Sequence, residues 1–409
     1  MRVLIVTDWN RGQGGAEAYL GWLRSGLIAS GDKVRLMTSS AGTMGDGTAE
    51  YVAYGTERVA VQAFLQIVNP FAVRRIRRAL TEFRPSVVLV NMFAQHLSPA
   101  ILHALGAVPT ILAVSDYKCI CPMGSKLRPD NSLCGSRPGW TCHTAGCVSL
   151  PHWIRDQPRY ALLRSGVAKV DAVVACSNWV QRALESEGIQ SEHIQLPVPT
   201  PGVTYRRNPS ADPTFLFCGR LDVEKGVEYL VRAFTEVRRT APRAQLRIAG
   251  RGPELDRLVA LAGELDVGDA VSFLGWLLPN DIEAELSRAW VLVAPSLWAE
   301  PLGLVALEAI VRGVPVIATS TGGFAETVEE SVSGFLVPNG DVGALAERMA
   351  AIAEGREFPE HRVADDVIAR IAERHSIRHH VDRMRDVFRR TISGTEVSST
   401  AANGQSPDE

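Results

Sequence analysis

The sequence predicts an α/β protein built from two parallel-sheet domains facing a central cleft, and three observations carry that prediction. Short apolar runs alternate with amphipathic segments along most of the 409 residues, the pattern of parallel sheets covered by helices on both faces. The chain is too long for one ordinary core and suits two domains of roughly 200 residues. The two halves also open alike: VLIVTDWNRGQGGAEAYLGWL and FLFCGRLDVEKGVEYLVRAF are each a strand, a glycine-containing loop and an amphipathic helix. Two such domains place a cleft between two sets of strand C-terminal ends, where ligands bind in open α/β sheets.

In chain order, the first half offers strands at Val3 to Thr7, Lys33 to Thr38, Ser86 to Asn91, Thr110 to Val114 and Ala172 to Cys176. The opening MRVLIVTDWN has one Arg and a four-residue apolar run, too short for a signal peptide or a membrane span, so a cytoplasmic location with reduced thiols is expected. Leu196 to Pro213 carries five prolines and reads as a linker. The second half offers strands at Thr214 to Cys218, Gln245 to Ala249, Val271 to Leu274, Val291 to Ala294, Pro315 to Ala318 and Gly334 to Val337. The expected domains are 1–198, including a cysteine-rich loop 119–147, and 212–375, followed by a helix at 376–394 and a disordered tail at 395–409. Hydrophobic residues make up 46% of the chain, enough for two cores, and the net charge of −2 gives no global reason to expect nucleic acid.

The stretch WAEPLGLVALEAI sets Glu300 and Glu308 eight positions apart, between a strand at Leu292 to Ala294 and a helix expected from Gly303 to Arg312. At helical rise this is roughly 12 Å, longer than the roughly 5 to 9.5 Å that separates glycosidase carboxylates. Two carboxylates accepting hydroxyl hydrogen bonds along one extended polar ligand fit better, with the N–H groups of Leu302, Gly303 and Leu304 facing a phosphate between them. The plainer reading, a solvated helix-face glutamate at 308, sits poorly beside Val305, Ala306, Leu307, Ala309 and Ile310.

EPLGLVALEA resembles the Glu-x7-Glu signature of retaining nucleotide-sugar glycosyltransferases of the group 1 (family 4) type. Further pieces follow in that family's order: GGAE at 14–17, GRLDVEKG at 219–226, AGRGPE at 249–254, FLGW at 273–276, STGGFAETV from 320 and SGFLVP up to 338. The resemblance implies the GT-B fold, with two Rossmann-like domains, and a hexosyltransferase that moves a sugar from a nucleotide diphosphate, with retention, to a hydroxyl of a glycan, a lipid-linked saccharide or a small specialised metabolite. It also implies the site. Glu300 would bind donor-sugar hydroxyls and Glu308 the ribose, while Arg220 and Lys225 would hold the diphosphate, whose growing negative charge fixed cations stabilise. Leu302 to Leu304 would lie near sugar and diphosphate, Gly14 and Gly15 would close from the other domain, and Arg251 and Leu277 would stand near the base and phosphates. No metal is required for such chemistry. Read without the resemblance, Lys225 beside Glu224 is a solvated helix-start pair and Gly14–Gly15 an ordinary turn.

The chain departs from the family where a histidine usually ends the strand matching Thr110 to Val114: Ser115 stands there, followed by Asp116. Asp116 is the expected polar substitute, and His96 is either a second one or an ordinary surface or capping histidine. The departure keeps open a nucleotide-sugar-binding protein with weakened catalysis. A GT-B epimerase is the further alternative.

Cys119, Cys121, Cys134, Cys142 and Cys147 crowd a Gly- and Pro-rich segment of little apolar content. A structural zinc on thiolates would order it, although the spacing fits no common finger. Disulfides, free thiols and an iron–sulfur cluster are the other readings. The segment resembles an insert of a subgroup of these transferases, which implies Cys121, Cys134, Cys142 and Cys147 as the set, with Cys119 additional. Cys176 and Cys218 read as core cysteines. Asn69 to Pro85 reads as a helix with Arg74, Arg75, Arg77, Arg78 and Arg84 among apolar residues, either a solvated helix over the sheet or a basic face for peripheral contact with an anionic membrane at its inner surface.

Overall fold

The computed structural model describes residues 1–9, 14–42, 49–201 and 205–403, with side chains up to 395. The chain divides into two units: one comprises Met1–Gly124, Gly135–Pro197 and Ile377–Glu409, the other Ser125–Cys134 and Val198–Ser376.

The first unit is built on a parallel sheet of seven strands: β1 (Arg2–Val6), β2 (Lys33–Ser39), β3 (Tyr51–Ala53), β4 (Val87–Asn91), β5 (Thr110–Val114), β6 (Ala172–Ala175) and β7 (Glu192–His193), in the order β3-β2-β1-β4-β5-β6-β7. β4 and β5 are buried at every position, which is why they read in the sequence as unbroken apolar runs. The second unit has β8 (Thr214–Cys218), β9 (Gln245–Ala249), β10 (Val271–Gly275), β11 (Val291–Ala294), β12 (Val316–Thr319) and β13 (Gly334–Val337), ordered β10-β9-β8-β11-β12-β13 and likewise parallel. Its core packs Phe215, Leu230, Phe234, Ile248, Val293 and Phe335 between sheet and helices. In each sheet the chain order reverses beside a central strand, between β1 and β4 in one and between β8 and β11 in the other, and such switch points open a crevice at the strand C-termini.

Three elements differ from the sequence reading. β3 and β7 were not expected; at three and two residues they are too short to display a period. The region from 395 is helical to Asn403, as the end of a helix from Ile377, and 404–409 lie outside the described residues. Apart from Gly394 and the residues beyond 403 that stretch holds neither Gly nor Pro, so a helix anchored upstream propagates through it. The anchor is visible: Val381, Met384, Val387 and Phe388 are buried, and the helix packs within the first unit against α1 (Gly15–Ala29) so closely that a Cβ on Gly26 would lie 2.6 Å from Val381 Cγ2. Finally, the cysteine-rich loop is not all of one domain, since Ser125–Cys134 groups with the second unit.

Candidate functional site

In the second unit the loops that leave β8, β11, β12 and β13 are knit together at the switch point. Leu297 N donates to Glu224 O at 2.8 Å, Gly323 N to Glu300 O at 2.7 Å, and Asn339 Nδ2 to Leu297 O at 2.6 Å. Thr319 Oγ1 donates to Ser296 O at 2.9 Å, and Ser296 Oγ in turn to Glu300 Oε1 at 3.0 Å. Close approach is possible because glycines stand at the crossings: a Cβ on Gly226 (φ +67°) would meet Pro295 O at 2.0 Å, and one on Gly323 would meet Leu302 Cα at 2.3 Å.

This frame fixes the two residues that the sequence singled out most strongly. Lys225 Nζ donates to Glu300 Oε1 and lies 5.0 Å above the Trp298 ring. Their side chains are only 17% and 10% exposed, so each ion depends on its partner, and removing one strands the other in a poorly solvated place. Arg220 stands nearby in sequence but is outward: its guanidinium pairs with Asp222 and, at 2.7 Å, with Glu224. Glu224 therefore links Arg220 to the loop that carries Glu300.

Gly303 caps the next helix in the left-handed conformation (φ 79°), and the helix begins at Leu304 and ends at Ile310 rather than spanning Gly303 to Arg312. Glu308 lies on it half-buried. Burial pushes its carboxyl above the usual range, with Arg312 opposing, so it is not a solvated helix-face residue. Arg251 is exposed and Leu277 half-buried at the ends of β9 and β10. The structure thus joins Lys225 to Glu300 directly and Arg220 to them through Glu224, and it leaves Arg251 and Leu277 just beyond β9 and β10 and Glu308 on the helix after β11.

In the first unit Asp8, which the sequence reading passed over, organises the strand ends. It follows β1, is buried, and its carboxylate accepts from the backbone N–H groups of Gln95 (2.6 Å), His96 (2.9 Å) and Leu97 (2.7 Å) in the loop after β4. Gln95 Oε1 accepts from Lys118 Nζ at 2.9 Å, and Asp116 Oδ1 accepts from Lys118 N at 2.9 Å, so three strand-end loops form one network. Burial pushes Asp8 up to about 6 despite these donors and Lys118, and burial also raises Asp116. Ser115, at the histidine position, accepts from Asn91 Nδ2 at 3.2 Å. His96 is not a surface residue: it is buried, with its ring edge-on to Trp9 at 4.7 Å. Gly14 and Gly15 are exposed at the start of α1, and among the described residues nothing lies within 4 Å of a Cβ placed on Gly14, so no packing against them explains that glycine.

The raised carboxyl of Asp8 gives a signed prediction. A folded-state pKa near 6 against an unfolded value near 4 adds stability in full below about pH 4, and this is lost as pH rises through about 6. Urea unfolding of the wild type and of Asp8→Asn at both ends of that window should show the wild type losing stability relative to the variant as pH increases.

Among the described residues no group of three or more His, Cys, Asp or Glu side chains is placed to hold a metal ion. Cys134 groups with the second unit, whereas Cys121, Cys142 and Cys147, with Cys119, belong to the first, and no disulfide joins the cysteines among the described residues. Cys176 is buried, as a core cysteine is, and Cys218 is half-buried.

Comparison with known proteins decides the family. The glycosyl transferases group 1 model matches residues 206–364 and the glycosyl transferase 4-like domain model residues 14–199, so the two matches together take in most of the chain. The chain is a group 1 glycosyltransferase. This glycosyltransferase is 28% identical over 383 residues to a GDP-mannose-dependent α-(1-6)-phosphatidylinositol monomannoside mannosyltransferase of Mycobacterium tuberculosis, covering 87% of this chain and 90% of that one. It is 38% identical over 157 residues to a glycogen synthase of the same species, a match that spans 38% of either protein. Its fold is similar to that of sucrose-phosphate synthase from Thermosynechococcus elongatus, at 21% identity and a TM-score of 0.73, covering 96% of this chain and 100% of that one. The glycosyltransferase therefore has the GT-B fold, and none of its described helices is long and apolar enough to cross a membrane.

Proposed function

We propose that this glycosyltransferase moves a hexose, with retention, from a nucleotide-diphosphate sugar to a hydroxyl of a glycan, a lipid-linked saccharide or a specialised metabolite, and that it works in the cytoplasm. The observation that carries the reading is the Lys225–Glu300 contact at the β8/β11 switch point. There a cation and a carboxylate are held together by loops from four strands, one suited to a phosphate and the other to sugar hydroxyls. Donor binding would insert the sugar and diphosphate at this pair. Glu300 would keep its place through Ser296 and turn to the hydroxyls, while Lys225 turns to the phosphate oxygens. Arg220 would leave Asp222 and Glu224 for the diphosphate, and its exposure makes that swing inexpensive.

As the bond from sugar to phosphate breaks, charge grows on the leaving diphosphate, and Lys225 stabilises it in a partly desolvated place. The leaving phosphate oxygen takes the acceptor's proton on the same face, so no protein nucleophile is needed. Glu308, half-buried and with no hydrogen-bond partner for its carboxylate among the described residues, would take the ribose hydroxyls. In the first unit Gly14 would permit close approach of its backbone to the donor. Asp116 would supply the polar contact that a histidine usually makes, and the neutral Ser115 a hydroxyl beside it.

The test is release of nucleoside diphosphate from a panel of uridine, guanosine and adenosine diphosphate sugars without acceptor. Slow release from one donor, unaffected by a chelator, is expected. Binding of a donor with no release, and no transfer to any offered hydroxyl compound, would instead favour a binding protein, a reading to which Ser115 lends some weight.

A further inference from the structure

We propose that Trp140 and its neighbours on the first unit form a stacking platform for a sugar ring of the acceptor, so that the acceptor is an oligosaccharide or an already glycosylated molecule. The inference rests on the transferase reading above and names the acceptor class for it. Trp140 opens the short helix Trp140–Thr144 in the cysteine-rich segment and is 52% exposed. Trp153 stands edge-on to it with ring centroids 5.1 Å apart, and its Nε1 donates to Gly139 O at 3.1 Å, so the residue before Trp140 is pinned. The His143 ring lies 4.9 Å from the Trp140 ring. Leu150 and Ile154, which share a helix face with Trp153, are exposed as well. Single exposed apolar side chains need no explanation, but a fixed indole with two exposed aliphatic neighbours does.

Chain topology sets this platform at the functional edge of the sheet. The helix Leu150–Val167 leads into β6, so it runs antiparallel to the strands and begins at their C-terminal edge, where ligands bind in open α/β sheets. Its 18 residues span roughly 27 Å, whereas the four residues of β6 span roughly 13 Å. The first turns therefore overhang that edge. Arg159 fixes the position, since its Nη2 donates to Ala94 O at 2.9 Å in the loop after β4. Ala94 in turn lines one small cavity with Ser115, Asp116 and Lys118, beside which the reacting hydroxyl belongs in the reading above. From Arg159 back to Trp153 is roughly 9 Å along the helix, a distance that a short oligosaccharide bridges.

A pyranose suits this surface. One face of the ring is a patch of C–H groups that packs flat on an indole, and its rim carries hydroxyls. Trp140 Nε1 has no hydrogen-bond partner among the described residues and can donate to one of them. His143 Nδ1 lies 3.1 Å from Val148 O; a carbonyl only accepts, so Nδ1 carries the proton and Nε2 of the neutral ring is left as an acceptor. A lipid tail would use neither group. The adjacent Arg155 is already held by both carboxylate oxygens of Asp156, at 2.7 and 3.0 Å, and so offers a lipid phosphate little.

Saturation-transfer NMR of the full chain with linear trisaccharides of glucose, mannose, galactose and N-acetylglucosamine tests the proposal. One of the four should bind, with its strongest signals on the C–H face of one ring. Trp140→Ala should weaken that binding roughly tenfold, and Trp140→Phe, which keeps an aromatic face, by no more than about threefold. Unchanged melting is expected of both variants, because the side chain is exposed. Binding of none of the four overturns the proposal, as does binding that Trp140→Ala leaves intact. Trp140-dependent binding to phosphatidylcholine vesicles, or Trp140-dependent self-association, without sugar binding would assign the face to a lipid or a second copy and overturn it too. Acceptor-free release of nucleoside diphosphate by the wild type separates the two readings. Release without trisaccharide binding removes this inference alone, whereas Trp140-dependent trisaccharide binding without release from any donor removes the donor reading and leaves the platform standing.

Discussion

Lys225→Ala is expected to lower turnover of the nucleotide-sugar donor by roughly 10²- to 10³-fold, the usual effect of removing one group that stabilises charge on a leaving oxygen. Glu300→Ala should lose activity on a comparable scale, for a different reason. Without its carboxylate, Lys225 keeps its charge in a place where the side chain is only 17% exposed, and the sugar loses an acceptor that Ser296 holds at 3.0 Å. The two substitutions are therefore non-additive: in the double variant neither ion is stranded, and its loss should be smaller than the product of the single losses. Steady-state kinetics of the four proteins on one donor tests this. Additive losses would show that the ion pair is a surface accident rather than one unit.

The second large effect is structural. Gly323→Ala should destabilise the second unit by about 2–3 kcal/mol, lowering its melting temperature by roughly 5–10 °C. Gly323 has an ordinary φ of −68°, so the cost does not come from its backbone angle. It comes from a Cβ that would lie 2.3 Å from Leu302 Cα, forcing apart the crossing at which Gly323 N bonds Glu300 O. Donor affinity should fall with stability, because that crossing holds Glu300. Gly14→Ala is the contrast, since no described residue lies within 4 Å of the added methyl group: melting should not move, whereas donor affinity should drop if the backbone there approaches the ligand. Calorimetric melting of both variants, with and without donor, separates the two kinds of glycine.

How much of this was legible beforehand depends on the physical origin of each feature. The long central strands were legible because a parallel strand buried on both faces is necessarily an apolar run; β4 and β5 show it. β3 and β7 were not, because edge strands of two or three residues carry no pattern. Glu300, Glu308 and Lys225 stood out because their spacing and neighbours form a family pattern, and the structure adds what spacing cannot contain, the direct contact of Lys225 with Glu300. Asp8 was missed because its three donors are backbone N–H groups 87 to 89 positions away, a relation that only the folded chain displays. A polar residue at the end of a buried first strand was the available signal. The burial of His96 against Trp9 was not legible for the same reason. The cysteines crowd in sequence, and what sequence proximity does not display is that Cys134 groups with the second unit and the other four with the first.

The central claim is that the second unit grips a nucleoside diphosphate through Lys225 at the β8/β11 switch point. Titration calorimetry of uridine, guanosine and adenosine diphosphates, and of the matching monophosphates, into the wild type and Lys225→Ala tests it most directly. One diphosphate should bind the wild type clearly more tightly than its monophosphate, and Lys225→Ala should remove most of that difference. Binding of no nucleotide, or a diphosphate preference that Lys225→Ala leaves intact, would contradict it.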